Sequence, residues 1–165
     1  MTRTSFKTQA LGLVGWLVAT FAAGSVGAIA STRAAAFYGQ LSQPSWAPPA
    51  WLFGPVWFVL YLCMAVAAWL VWRERGFKGA SVALWLFVIQ LVANALWTWL
   101  FFVLKAGALS MAEILVLWLF IAATIFKFWP VRRLAALLLL PYLAWVSFAC
   151  ALTWSLWRLN PAVLG

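Results

Sequence analysis

The chain has 165 residues, a length that fits one domain; 68% are hydrophobic and the mean hydropathy is +1.04. Only 8% are charged, against about a quarter in a soluble domain, so the composition excludes a water-soluble globule and makes a bilayer the solvent. The net charge of +9 does not signal nucleic acid, because the bases fall at the ends of apolar runs, and the lack of His and Asp removes Ser-His-Asp chemistry, His-based metal sites and proximal-His haem.

A membrane helix needs about 20 mostly apolar residues. Five runs meet that length, which predicts an all-α bundle of five transmembrane helices. The first, Leu11–Ser31, follows Arg3 and Lys7 and is too long for a signal h-region. It carries small residues at Ala19, Ala23 and Gly27, and again at Thr20, Gly24 and Ala28, which permit close helix contact within the monomer or across a dimer.

The break Thr32–Ala50 ends in "SQPSWAPPA". Pro44, Pro48 and Pro49 remove donors and favour extended backbone, so the connector is predicted to be non-helical. Two compatible readings follow. The segment lies at the membrane interface as an aromatic belt, or it is a lid with Trp46 reaching back over a cavity.

The second run, Trp51–Trp72, carries Phe53, Trp57 and Tyr61 four residues apart on one face. After "RERGFKG" comes Ala80–Leu104, with Gln90, Asn94, Trp97 and Phe101 along one stripe. The fourth run, Ala108–Trp129, holds Glu113 within two turns of its start. The fifth, Leu134–Trp157, places Pro141, Trp145 and Ala149 on one face. Cys63 and Cys150 lie inside apolar runs and read as packed thiols. No internal repeat is visible, so residues 1–165 are taken as a single domain.

Eight bases fall at the N-terminus and at the second and fourth breaks: Arg3, Lys7, Arg73, Arg75, Lys78, Lys127, Arg132 and Arg133. Arg33, Lys105 and Arg158 fall on the other side. In a bacterial inner membrane this bias puts the N-terminus inside and the C-terminus outside; an outer-membrane location would void the rule.

With that topology the unusual residues gather in the far leaflet, beneath the Pro-Trp connector. Trp51, Phe53 and Trp57 come from the second helix, Asn94 and Trp97 from the third, Trp145 and Ala149 from the fifth. An amide in lipid is costly without a partner, so Gln90 and Asn94 either tie helices together or bond a ligand. Glu113 either pairs with Arg33, Lys105 or Arg158, or relays protons.

Several stretches together carry a likeness: "FYGQLSQPSWAPPAWLFGPVW", "QLVANALWTWLFF", "WLFIAAT", "PYLAWVSFACAL" and the terminal "WRLN". The chain resembles the translocator protein family (TspO/MBR, the tryptophan-rich sensory proteins, which include the peripheral benzodiazepine receptor). The resemblance implies a five-helix bundle, a homodimer, and a cavity closed by the first loop. It implies tetrapyrrole ligands such as protoporphyrin IX, sterol-like molecules and synthetic drugs, with no resident cofactor or metal. Residue by residue, it carries a ligand wall to Trp46, Trp57, Asn94, Trp97, Trp145 and Ala149, an aromatic lid pair to Phe37 and Tyr38, and a family acid to Glu113. Trp154, in "LTWSLWR", stands where the sterol-recognition stretch of animal members has Tyr, which favours a bacterial-type member.

The implied function is membrane binding and sensing of porphyrins and related flat apolar ligands, with their movement through or within the membrane as an extension of it. Aromatic walls suit a flat macrocycle, one amide can orient it, and Arg33, Lys105 and Arg158 can meet its propionates. The alternatives are a light-dependent porphyrin-degrading enzyme using Trp57 and Trp145, and a small-solute or sterol transporter, the latter disfavoured by the scarcity of intramembrane acids.

Overall fold

A computed structural model describes residues 5–165; Arg3, one of the eight bases that set the orientation, lies outside them. Five helical segments are long and apolar enough to cross a membrane: Phe6–Ala30, Ala50–Gly79, Ser81–Val103, Gly107–Phe128 and Arg133–Leu159. The elements are α1 (Phe6–Ala30), α2 (Ala34–Gln40), α3 (Phe53–Gly79), α4 (Ser81–Thr98), α5 (Gly107–Phe128), α6 (Arg133–Leu138), α7 (Leu140–Leu159) and α8 (Pro161–Leu164), with no strand among the described residues.

The boundaries depart from the apolar runs where local chemistry overrides hydropathy. The first helix starts at Phe6 rather than Leu11, because Ser5 caps it and its hydroxyl accepts the Thr8 N–H at 3.3 Å. The connector, predicted to be non-helical, is so only in part. Residues Ala34–Gln40 form α2, since that stretch contains no proline and the first ring comes only at Pro44. A single 3-10 turn, Ala50–Leu52, then leads into α3.

At the other end of α3 the charged "RERG" stays helical until Gly76, where φ 63 and ψ −178 break the path. That positive φ carries no side-chain penalty for glycine. Helix α4 closes in a π-turn, Trp99–Val103, with Leu104 N–H bonded to Trp99 O at 3.0 Å. The last span is two helices, not one. Pro141 sits in the first turn of α7 and has no N–H to give α6, so the chain restarts at Leu140.

Helix α1 packs on α3 and α4, α4 on α5, α5 on α7, and α6 returns to α3, so the five spans close into a ring. At the α3–α4 end the ring is filled. Ala65, Ala67 and Ala68 keep α3 slim there, and Phe87 stacks on Phe128 with centroids 6.1 Å apart. Small residues at such contacts give close van der Waals packing, the main attraction between helices in lipid. A second buried cluster, Tyr38, Leu41, Phe101, Leu152, Leu156 and Leu164, closes the opposite end. A cavity occupies the space between the two clusters.

Candidate ligand-binding site

The cavity has a volume of about 420 Å³ and is bounded by α1, α2, α3, α4 and α7. Of the ten residues singled out from sequence, seven line it: Tyr38, Phe53, Trp57, Asn94, Trp97, Trp145 and Ala149. Three do not. Trp51 is 71% exposed and points outward. Phe37 packs edge-on against Phe101 and Phe102, on the outer side of that wall. Trp46 is half exposed and meets Phe148 at 5.7 Å rather than covering the cavity itself.

Trp46 is nonetheless tied to the site through rings. Phe148 lies 5.5 Å from Trp145, Trp145 lies 5.9 Å edge-on to Phe53, and Phe53 lies 5.5 Å edge-on to Tyr38. Offset and edge-to-face pairs in this range are attractive, so the connector and the cavity wall form one aromatic train.

The polar centre of the wall is Asn94. Its Oδ1 accepts from the Tyr61 hydroxyl at 3.0 Å, and its Nδ2 donates to the Tyr142 hydroxyl at 2.9 Å. Tyr61 comes from α3 and Tyr142 from α7, so the amide joins three helices while still lining the cavity. Of the two readings of Asn94, the helix tie thus has named partners. Gln90, four residues earlier, faces the filled end instead. It is 1% exposed, and its Nε2 reaches only the Met64 sulfur at 3.9 Å.

One of the two readings of Glu113 pairs it with Arg33, Lys105 or Arg158. It pairs with none of them: both carboxyl oxygens are buried without a hydrogen-bond partner. The one ion pair among the described residues joins Arg132 to Glu74 at 3.4 Å. Glu113 lies toward the same end of the bundle as the three bases, but a shared end says nothing about azimuth. Arg158 instead lies over the Trp154 ring at 5.7 Å and Lys105 over Phe37 at 5.0 Å.

Residues beyond the wall expected from the sequence complete the site. Helix α1 supplies Phe21, Gly24, Ser25, Gly27 and Ala28. Gly24, Gly27 and Ala28 belong to the small-residue face visible in the sequence, and two of them make close contacts within the chain: a Cβ on Gly24 would stand 2.7 Å from the Tyr61 ring, and one on Gly27 would stand 3.2 Å from the Thr98 hydroxyl. Ser25, Ala28, Gly54 and Phe58 are both cavity-lining and exposed, so the cavity opens sideways between α1 and α3, on the outer surface of the bundle.

The connector is held at three points. The Tyr38 hydroxyl donates to Pro48 O at 3.1 Å, Gln43 Nε2 donates to Tyr38 O at 2.6 Å, and Asn160 holds Ser42. Burial pushes the Tyr38 phenol above its ordinary pKa of 10.0, which keeps it a donor. Asn160, at the end of α7, belongs to the terminal "WRLN" stretch, but its reach to the connector gives no signal in the sequence.

Residues 16–158 match the model of the TspO/MBR family. The chain is 41% identical over 149 residues to protein CrtK of Rhodobacter capsulatus, covering 88% of this chain and 91% of that one. It is 40% identical over 129 residues to the tryptophan-rich protein TspO of Chlorobaculum tepidum, covering 76% and 80%. It is 40% identical over 126 residues to the translocator protein of Homo sapiens, covering 75% of each.

Proposed function

Because this chain belongs to the TspO/MBR family, which makes it a multi-pass membrane protein, we propose that it binds and senses flat apolar ligands of the porphyrin class. One observation carries this reading: Trp57, Trp97 and Trp145 surround a single cavity of about 420 Å³ whose wall also presents the Asn94–Tyr61 polar pair. That volume is within the range of about 300–1,000 Å³ typical of small-molecule sites, and a mostly apolar wall with a few polar groups is their usual make-up. Indole faces stack on a macrocycle, and an amide beside them can set its rotation. The opening between α1 and α3 gives an apolar ligand a path from the bilayer without crossing water.

The test is titration of the purified protein with protoporphyrin IX, haem and cholesterol while following tryptophan fluorescence. The metal-free porphyrin should quench in a saturable way and more tightly than haem, since the sequence contains no His to ligate iron. Saturation by cholesterol alone would replace this reading with a sterol one. Assembly as a homodimer and residence in a bacterial inner membrane belong to the same proposal; mass in detergent and membrane fractionation test them.

A second reading, light-dependent breakdown of bound porphyrin, draws on Trp57 and Trp145 both facing the cavity. Anaerobic illumination of the complex tests it: a defined product that disappears in Trp57→Phe and Trp145→Phe would support it, and unspecific bleaching would not.

A further inference from the structure

A second cleft, of about 370 Å³, lies beside the main cavity at the same end of the bundle. Its charged and polar members are Arg33, Lys105 and Gln40. Its apolar members include Phe37, and also Ala34 and Phe102, which line the main cavity as well. The two spaces thus share part of their lining.

The electrostatics of this cleft are one-sided. Among the described residues the acids are Glu74 and Glu113. Glu74 is engaged with Arg132, and Glu113 does not line the cleft. Two cations therefore face one hollow with no acid in it.

The lysine is also held in place. Lys105 has φ 52, a left-handed backbone conformation that non-glycine residues rarely adopt, and the turn around it is fixed by Ala106 N–H bonding Leu100 O at 3.1 Å. Its ammonium lies 5.0 Å from the Phe37 ring centroid. Arginine adds a planar fork that matches a carboxylate, while lysine adds a compact charge, so the pair suits one oxyanion mounted on an apolar body.

We infer that this cleft is a subsite for the carboxylate arm of an amphipathic ligand whose apolar body occupies the main cavity. The inference rests on the cavity reading above and specifies its ligand as an acid rather than a neutral molecule. It selects Arg33 and Lys105 from the three bases at this end, because Arg158 lines neither space. The phosphate of an anionic lipid has the same chemistry. The shared lining of Ala34 and Phe102 favours the ligand's own arm, since it sets the two cations beside the main cavity.

The experiment compares protoporphyrin IX with its dimethyl ester, which has the same macrocycle and no charge. Binding is measured in nanodiscs of phosphatidylcholine, for the wild type and for Arg33→Gln with Lys105→Gln; both residues are exposed, and helix content by circular dichroism checks the fold. The wild type should prefer the free acid over the ester by about tenfold or more, and the double variant should lose that preference while binding the ester as before. Equal wild-type affinity for acid and ester overturns the subsite and leaves the cavity reading intact. Loss of acid and ester together in the double variant also overturns it, because the bases would then be holding the fold. If neither compound binds the wild type, the cavity reading fails and takes the subsite with it. Repeating the comparison in nanodiscs containing phosphatidylglycerol separates the sources. Retention of that lipid by the wild type and not by the double variant, with acid binding unchanged between them, would assign the cleft to lipid and overturn the carboxylate assignment.

Discussion

Asn160 holds Ser42 by both of its backbone groups across 118 positions of chain: Oδ1 accepts the Ser42 N–H at 2.8 Å, and Nδ2 donates to Ser42 O at 2.9 Å. The same Nδ2 also reaches Leu156 O at 2.9 Å. One side chain thereby fastens the Pro-Trp connector to the end of α7. Asn160→Ala should leave the five spans formed and loosen the connector, with a cost of about 1–3 kcal/mol for the groups left unpaired. Hydrogen exchange at residues 41–49 should rise and ligand dissociation should quicken. Unchanged exchange in that segment would show that the connector is held elsewhere.

Asn94 occupies the same kind of position inside the bundle. Asn94→Leu strands the Tyr61 and Tyr142 hydroxyls, and Tyr142 is fully buried. The expected loss is about 1–3 kcal/mol in stability, read as a lower unfolding temperature in detergent. Tyr61→Phe should cost less, because it leaves the Tyr142 bond in place. An unfolding temperature unaffected by Asn94→Leu would mean that the amide serves the ligand and not the helices.

Ala149 lines the cavity one turn from Trp145. Ala149→Thr adds volume where a ligand would lie, and overpacking of a fitted wall typically costs about 1–3 kcal/mol. Affinity for a bulky macrocycle should fall, with a smaller loss for a thin sterol. An equal loss for both would point to damage of α7 itself.

The Tyr38 latch has a definite pH signature. Burial raises the phenol pKa in the folded state above the ordinary value of 10.0, so the hydroxyl's contribution is fully present below that value and is lost as pH rises through the raised one. Ligand dissociation attributable to this latch should be flat from neutral pH up to about 10, the ordinary tyrosine value, and faster beyond it. Tyr38→Phe should dissociate faster at all pH values, with that alkaline step absent. A step in the wild type well below 10 would exclude this phenol as its source.

Pro48 and Pro49 restrict the backbone of the connector. Replacing both with Gly should preserve the helices and raise the off-rate more than it lowers the on-rate. Trp46→Ala should act more weakly than it would in a true cover, because Trp46 touches Phe148 rather than the cavity. Equal off-rates for the proline variant and the wild type would leave the stretch as an interfacial anchor.

The five spans are legible in the sequence because run length alone reports them: no other element keeps about 20 apolar residues together. The aromatic wall is legible too, since Phe53, Trp57 and Tyr61, or Trp145 and Ala149, repeat at helical spacing. What spacing lacks is rotation between helices. Glu113 shares an end of the bundle with three bases but not a direction, and Trp51 shares a span with Trp57 but faces outward. Helix α2 is hidden because seven residues are too few to set up a period beside three prolines. The α1 wall is hidden for a different reason: Gly24, Gly27 and Ala28 contribute space rather than side chains, and such residues read as packing.

The π-turn at Trp99–Val103 gives the α4–α5 tip one residue more than regular helical winding would use. Each residue of an α-helix advances about 100° around the axis, so that extra residue changes the phase of everything after it. Trp97 can then stack on Phe101 at 5.2 Å and still meet Phe102 edge-on at 6.0 Å, with both rings on the cavity wall. Beyond the turn, the same phase sets where Lys105 stands relative to Phe37. Deleting Leu100 would change no ring and no charge, yet it would turn the lysine roughly a quarter of the way around the helix axis. At this tip the count of residues, independent of their identity, sets the angle between the aromatic wall and the nearest cation.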